Sequence, residues 1–474
     1  MEADESISNP SVYLGSEDGN AAFKRGFMRR EKKRWEKETG GSRSVYSILE
    51  DIQAYLKAEG KFKKYLSPAH CSALANMLLM AEEELNLKKY NTTSTEAQKR
   101  LVPAVRNCRK ATLEGCNLTE QSGEIVASAL QNANSPVREL DMSSNDLQDS
   151  GVKFISIGLK SSHCKLEILR LKGCKLTMQS CETLASALLS ENSCLRGLDL
   201  SNNDLQDSGV KQLTAGLKSP HCKLEILSLA GCKLTDQSSE TLASVLLSVN
   251  SCLRELDLSN NDLKDSRLEW LSAGLNSCKL EKLRLASCNL TGQSCEMMAS
   301  TLQSVNCLLK ELDLSDNDLR DTGVEIFSTG LKSPHCILEI LRMSTCNLTD
   351  QSCATVASVL QLEKCPLREL NLSKNDLQDS GVKMLSDGLK SSHCKLEILR
   401  LSGCFITEEG CSVLAAALTS NPLHLRELDL SCNHPGDLGG QLLTARLNDP
   451  TFKLETLKYV AQGDFSFLVS DFRY

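Results

Sequence analysis

From Cys108 to Leu454 one frame, L-x-x-L-x-L-x-x-(N/C)-x-L, returns in about twelve coils. Its strand seeds begin at Val137, Leu166, Leu195, Leu224, Leu253, Leu280, Leu309, Leu338, Leu367, Leu396 and Leu425; every step is 29 residues except Leu253 to Leu280, which is 27. A unit this short cannot bury its own apolar face, so each coil must find its core partners in the coils before and after it. The chain is therefore expected to be an α/β solenoid, a horseshoe with a parallel sheet on the concave side and helices on the convex side.

Composition narrows the class. The chain has 474 residues, 24% of them charged and only 4% aromatic, and no apolar run long enough to span a bilayer. Its start, MEADESISNPSVYLGSEDGN, lacks the basic and apolar regions of a signal peptide. These features predict a cytoplasmic chain with no membrane contact. Of 22 cysteines, six share one slot of the frame: Cys116, Cys174, Cys232, Cys288, Cys346 and Cys404. That slot calls for a small residue that bonds buried backbone after the strand, which points to packing and not to the disulfide scaffold of a short secreted chain. Residues 1–107 hold 18 Lys and Arg against 15 Asp and Glu, leaving 36 against 46 for the rest. An acidic solenoid offers no basic face to neutralise phosphates, so no nucleic-acid partner is expected.

Four segments follow. Residues 1–42 form a polar tail with a basic cluster from Lys24 to Lys37, readable as a solvated charge run or as a nuclear-import element. Residues 43–107 are expected to be a helical cap, with Val45, Ile48, Leu49, Ile52 and Leu56 at helical spacing and a second helix running from Ser67 and Pro68 to Leu85. The repeats occupy 108–460, and 461–474 form a C-terminal tail. The repeat is irregular at 264–280, where Arg267 replaces the glycine of D-S-G-V and GLKSPHCKLE shortens to GLNSCKLE. A kink or flexible joint is expected there.

Two versions of the coil alternate, so the duplicated unit is a pair of coils. One continues into C-x-L-T-x-Q-S and the other into S-x-N-D-L-x-D-S-G-V; each is expected to place capping side chains before its helix, Thr177 in one case and Asp207 in the other. Outward-facing strand residues should form columns along the sheet. The residue between the second and third Leu alternates acid and base (Asp141, Arg170, Asp199, Ser228, Asp257, Arg284, Asp313, Arg342, Asn371, Arg400, Asp429, Lys458), a column expected to neutralise itself across strands. The residue two after the first Leu gives a second column of acids and exposed isoleucines. Glu139, Ile168, Ile226, Glu255, Glu311, Ile340, Glu369, Ile398 and Glu427 are the candidate protein-binding residues. The alternative is that they only lean on one another.

Catalytic chemistry has no residues to stand on. No G-x-x-x-x-G-K-[ST] occurs, so there is no phosphate cradle. Four of seven histidines lie in a recurring S-x-H-C element (His163, His221, His335, His393), at separate coils that do not converge on one metal ion. No nucleophile has a visible base and orienter. No enzyme activity, cofactor or metal is expected, and the expected partners are proteins.

The alternating LEILxLxxCxLTxQS and LRELDLSNNDLQDSGVK coils resemble the ribonuclease-inhibitor type of leucine-rich repeat, as found in NACHT-containing NOD-like receptors and above all in their fish-type expansion. LSPAHCSALANMLLMAEEELNLKKY followed by RLVPAVRNCRKATLEGCNLTE resembles the linker that leads into those receptors' repeats. The resemblance implies a leucine-rich-repeat solenoid acting in cytosolic innate-immune sensing or its regulation. It departs in lacking the nucleotide-binding NACHT module, an evident death-fold domain and a SPRY-type continuation, so nucleotide-gated oligomerisation is not expected of this chain. A truncated product, a stand-alone regulator and an incomplete gene model all fit that departure. Ribonuclease inhibition, and regulation of a GTPase or another enzyme on a repeat scaffold, are the alternative functions.

Overall fold

A computed structural model describes residues 99–459 together with 66–67, 69–71, 74–75 and 84–89. The tail 1–42 with its basic cluster, the first cap helix and the tail 461–474 lie outside the described residues. Among the described residues, fourteen strands of three residues each form one parallel sheet in strict sequence order. They are β1 Glu84–Asn86, β2 Lys110–Thr112, β3 Glu139–Asp141, β4 Ile168–Arg170, β5 Gly197–Asp199, β6 Ile226–Ser228 and β7 Glu255–Asp257. The series continues with β8 Lys282–Arg284, β9 Glu311–Asp313, β10 Ile340–Arg342, β11 Glu369–Asn371, β12 Ile398–Arg400, β13 Glu427–Asp429 and β14 Thr456–Lys458. The central Leu of each coil is turned into the core; Leu140 and Leu256 are at most 1% exposed.

The sheet starts earlier than the repeat frame suggests. Within the segment expected to be a helical cap, Glu84-Leu85-Asn86-Leu87 supplies the two Leu slots of a coil: both leucines are buried, and Leu85 pairs with Ala111 of β2. Leu85 is thus a strand residue and not the end of a helix. Upstream, the backbone N–H of His70 donates to Ser67 Oγ at 3.4 Å and that of Cys71 to the Ser67 carbonyl at 2.9 Å, so Ser67 does open a helical turn.

Twelve α-helices back the sheet among the described residues. They are α1 Glu120–Gln131, α2 Gln148–Leu159, α3 Met178–Leu188, α4 Gln206–Leu217, α5 Ser238–Leu246 and α6 Leu268–Leu275. After these come α7 Ser294–Gln303, α8 Arg320–Leu331, α9 Asp350–Leu360, α10 Gln378–Leu389, α11 Glu408–Ser420 and α12 Gly436–Leu447. They pack in pairs. Gly216 of α4 lies so close to α3 that a Cβ there would stand 2.7 Å from the Ala185 Cα and carbonyl oxygen, and Gly330 of α8 meets Ala299 of α7 in the same way. Between pairs an aspartate clasps the next coil. Asp149 accepts from the Thr177 N–H at 2.9 Å, from Thr177 Oγ1 at 2.6 Å and from Ser180 Oγ. Thr177 in turn caps α3, accepting from the Gln179 N–H at 3.3 Å, as expected. Asp207 does not cap its own helix: α4 already begins at Gln206, and the carboxylate reaches across to Thr235 and Ser238.

The irregular coil leaves the sheet unbroken. β7 and β8 pair residue for residue, Leu256 with Leu283, because all the Leu slots on both sides are filled. The change falls on the convex side, where α6 has 8 residues against 12 in α4. At the position equivalent to Arg267, Gly209 would place a Cβ 3.0 Å from Cys181 Sγ. An arginine does not fit that approach, and the first turn of the helix is lost.

Candidate functional site

Both outward positions of each strand face the concave side, but their charges are wired differently from the expectation. In the column expected to neutralise itself, the aspartates turn back on their own chain: Asp199 Oδ1 accepts from the Ser201 N–H at 2.9 Å, Asp257 from Ser259 at 3.0 Å and Asp313 from Ser315 at 3.0 Å. Among the described residues no ion pair links two members of that column. Its arginines instead run diagonally to the glutamates of the second column. Arg342 sits between Glu311 at 2.7 Å and Glu369 at 2.9 Å, and Arg400 between Glu369 at 2.6 Å and Glu427 at 3.5 Å. Lys282 holds Glu255 at 2.9 Å, and Lys458 holds Glu427 at 2.7 Å. From β7 to β14 the two columns form one continuous ladder.

This corrects the reading of the second column as a net acidic, exposed strip. Glu311 is 6% and Glu369 8% exposed, each enclosed by guanidinium groups. Burial alone would raise the Glu311 carboxyl, but the Arg342 hydrogen bond and the Arg284 and Arg342 charges outweigh it and hold it below the usual range. Glu427 is likewise lowered, first by the Lys458 hydrogen bond. Ile168, Ile340 and Ile398 are half-buried, whereas Ile226 is 42% exposed. Glu139 has only long pairings, 3.9 Å to Arg170 and 3.8 Å to Lys110.

A third column was overlooked in the sequence. The residue after the first Leu alternates without exception: Arg138, Glu167, Arg196, Glu225, Arg254, Glu281, Lys310, Glu339, Arg368, Glu397, Arg426, Glu455. Neighbours pair across strands, Lys310 with Glu281 at 2.8 Å and Arg426 with Glu455 at 2.9 Å. The alternation was visible in the letters, and only its place beside the strand was not. At the rim after the strands, an open groove of about 580 Å³ runs past Gly173, Thr177 and Gly231, its lysines Lys175 and Lys233 already paired with Asp146 and Asp204. Among the described residues no group of three or more His, Cys, Asp and Glu is placed to hold a metal, and no helix is long and apolar enough to cross a membrane.

A family model described as Leucine Rich repeat matches residues 133–156, 191–213, 249–266, 305–328, 363–386, 392–415 and 421–443. Mouse ribonuclease inhibitor is 38% identical over 151 residues, 31% of this chain and 32% of the inhibitor. The leucine-rich repeats of this chain are similar to those of ribonuclease inhibitor. Human NACHT, LRR and PYD domains-containing protein 14 is 45% identical over 98 residues, 21% of this chain and 9% of the receptor. The match thus spans a third or less of either relative. A chain of the yeast Rad7 and Elc1 complex superposes with a TM-score of 0.50 at 19% identity, covering 90% of this chain and 99% of that one, a likeness of fold alone.

The concave strip offers a continuous row of side chains for contact. Its strands β3 to β13 present charged residues, Ile, Ser, Asn and Gly, with no aromatic among them. The slot cysteines are spent on structure: Cys174 Sγ donates to the Met142 carbonyl at 3.2 Å, and burial pushes its thiol up to about 11.

Proposed function

We propose that this chain is a non-enzymatic protein-interaction scaffold that serves cytosolic innate-immune sensing or the regulation of NOD-like receptor signalling. The observation that carries the reading is the likeness of its repeats, at 38–45% identity, to ribonuclease inhibitor and to NACHT-, LRR- and PYD-containing proteins. The geometry is consistent with it: a parallel sheet presents a long ordered face whose polar groups are available for recognition or pair with one another. Proximity labelling from the full chain in resting and infected cells, compared with an Ile226→Asp variant, tests it. Enrichment of NOD-like receptors or their adaptors, reduced by the variant, is expected; identical labelling by both proteins would remove the concave face from the account.

Ribonuclease inhibition is the second reading, favoured by the match to the mouse inhibitor. The concave strands lack the aromatic anchors on which tight inhibitory interfaces usually rest, so no inhibition is expected at nanomolar protein in a ribonuclease assay. Regulation of a GTPase or another enzyme is a third; unchanged nucleotide turnover on adding the chain disposes of it.

A further inference from the structure

The charge ladder has one break, and its shape specifies a guest. Arg342 and Arg400 are each clamped between a glutamate on the strand before and one on the strand after, and on β8 Arg284 and Lys282 share that task, Lys282 taking Glu255 and Arg284 taking Glu311. Arg170 on β4 has Glu139 on the strand before, only at 3.9 Å, and Gly197 on the strand after. Beyond that glycine, β6 carries Ser228 where β4, β8, β10 and β12 carry Arg and β14 carries Lys. Gly197 is itself buried, but the strand leaves room for a side chain at its position: a Cβ built there has Ile168 as its nearest neighbour, at 3.5 Å, an ordinary contact. On the far side stands Ile226, the most exposed of the four column isoleucines at 42%. Below lies a hydroxyl pair, Ser201 Oγ and Ser228 Oγ at 2.7 Å, with Ser201 donating to Asp199.

The geometry points to a docking position for an acidic side chain of a partner protein, seated over Gly197 between Ile168 and Ile226, its carboxylate completing the clamp on Arg170. The inference rests on the scaffold reading above and gives it a place and a chemistry. The partner residue is a Glu or Asp flanked by aliphatic residues, because the carboxylate meets the guanidinium while its neighbours cover the two isoleucines. The complete clamps within the same sheet are the template: the chain supplies that carboxylate itself at Glu311, Glu369 and Glu427, and omits it at Gly197.

Gly197→Glu tests this directly, since it supplies the absent carboxylate from the chain and should close the site without harming the fold. Short random peptides displayed on phage are selected on the full chain, and the enriched ones are measured by fluorescence polarisation. Enriched peptides should share an acidic residue beside an aliphatic one. They should lose about tenfold or more in affinity on both Gly197→Glu and Arg170→Gln, the loss expected for one charge-assisted bond, while Arg342→Gln leaves them unchanged. Circular dichroism confirms that each variant is folded. Peptides without an acid, or acidic peptides that bind Gly197→Glu equally well, overturn this inference and leave the scaffold reading standing. A selection that enriches nothing over an unrelated control counts against both.

Discussion

Asn203 donates to the carbonyls of Leu171, Leu200 and Ser201 at 2.9, 2.8 and 3.2 Å, and accepts from the N–H groups of Cys174 and Leu176 at 2.9 and 3.0 Å. One buried amide thereby satisfies the backbone of two successive coils. Replacing it with leucine leaves several buried backbone groups unpaired at ~1–3 kcal/mol each, so Asn203→Leu should lower stability by at least ~3 kcal/mol in urea denaturation. The slot cysteines do a lighter version of the same task, and burial raises Cys232 and Cys346 to about 12. Of the 22 cysteines, Cys432 alone is exposed. Ellman's reagent should therefore react fast with Cys432 in the native protein, more slowly with the half-buried Cys194 and Cys252, and with the slot cysteines only on unfolding. Rapid labelling of Cys174 would contradict the packing role.

Between helices, the spacing of neighbours is set by residues without side chains. Gly216→Ala forces a methyl to within 2.7 Å of the α3 backbone and should cost ~1–3 kcal/mol by overpacking, a loss readable as a lower melting temperature. Amides of residues 264–267 should exchange faster than their counterparts 206–209, because α6 lacks the first turn that α4 has. Leu periodicity made the strands and helices legible from the letters, and Arg267 with its missing pair of residues marked the irregular coil. The letters did not reveal that the sheet would ignore the change. Register depends on the Leu slots, which Leu253, Leu256, Leu280 and Leu283 keep filled, so the loss was passed to the one side with room to absorb it. The columns were legible as positions and misread as partners for a similar reason. Aspartate is too short to cross to the next strand and bonds its own turn, while glutamate and arginine reach the diagonal neighbour. That difference of a methylene decides which column neutralises which.

At the scale of the whole array, stability depends on carboxylates held below their ordinary range. Burial works to raise Asp149 and Asp321, but the hydrogen bonds from Ser180 and Thr177, and from Ser352 and Thr349, lower both from the usual 3.8. A folded-state value below the unfolded one contributes stability above the unfolded value and loses it as pH falls through the folded one. The urea midpoint should therefore be level from neutral pH to about 5 and fall below about 4, and a double Asp149→Asn, Asp321→Asn variant should flatten that fall. A midpoint that rose on acidification would exclude this linkage.

The ladder of alternating charges also sets a parity rule for how such a chain can grow or shrink. Excising the single coil of β10 would bring Glu311 directly beside Glu369 and Lys310 beside Arg368, whereas excising β10 and β11 together would set Glu311 diagonally to Arg400 and Lys310 beside Glu397. Like charges on adjacent strands repel, and opposite ones reinforce the new seam. Recombination within this array is thus tolerated in even steps, and the solenoid's length is counted in pairs.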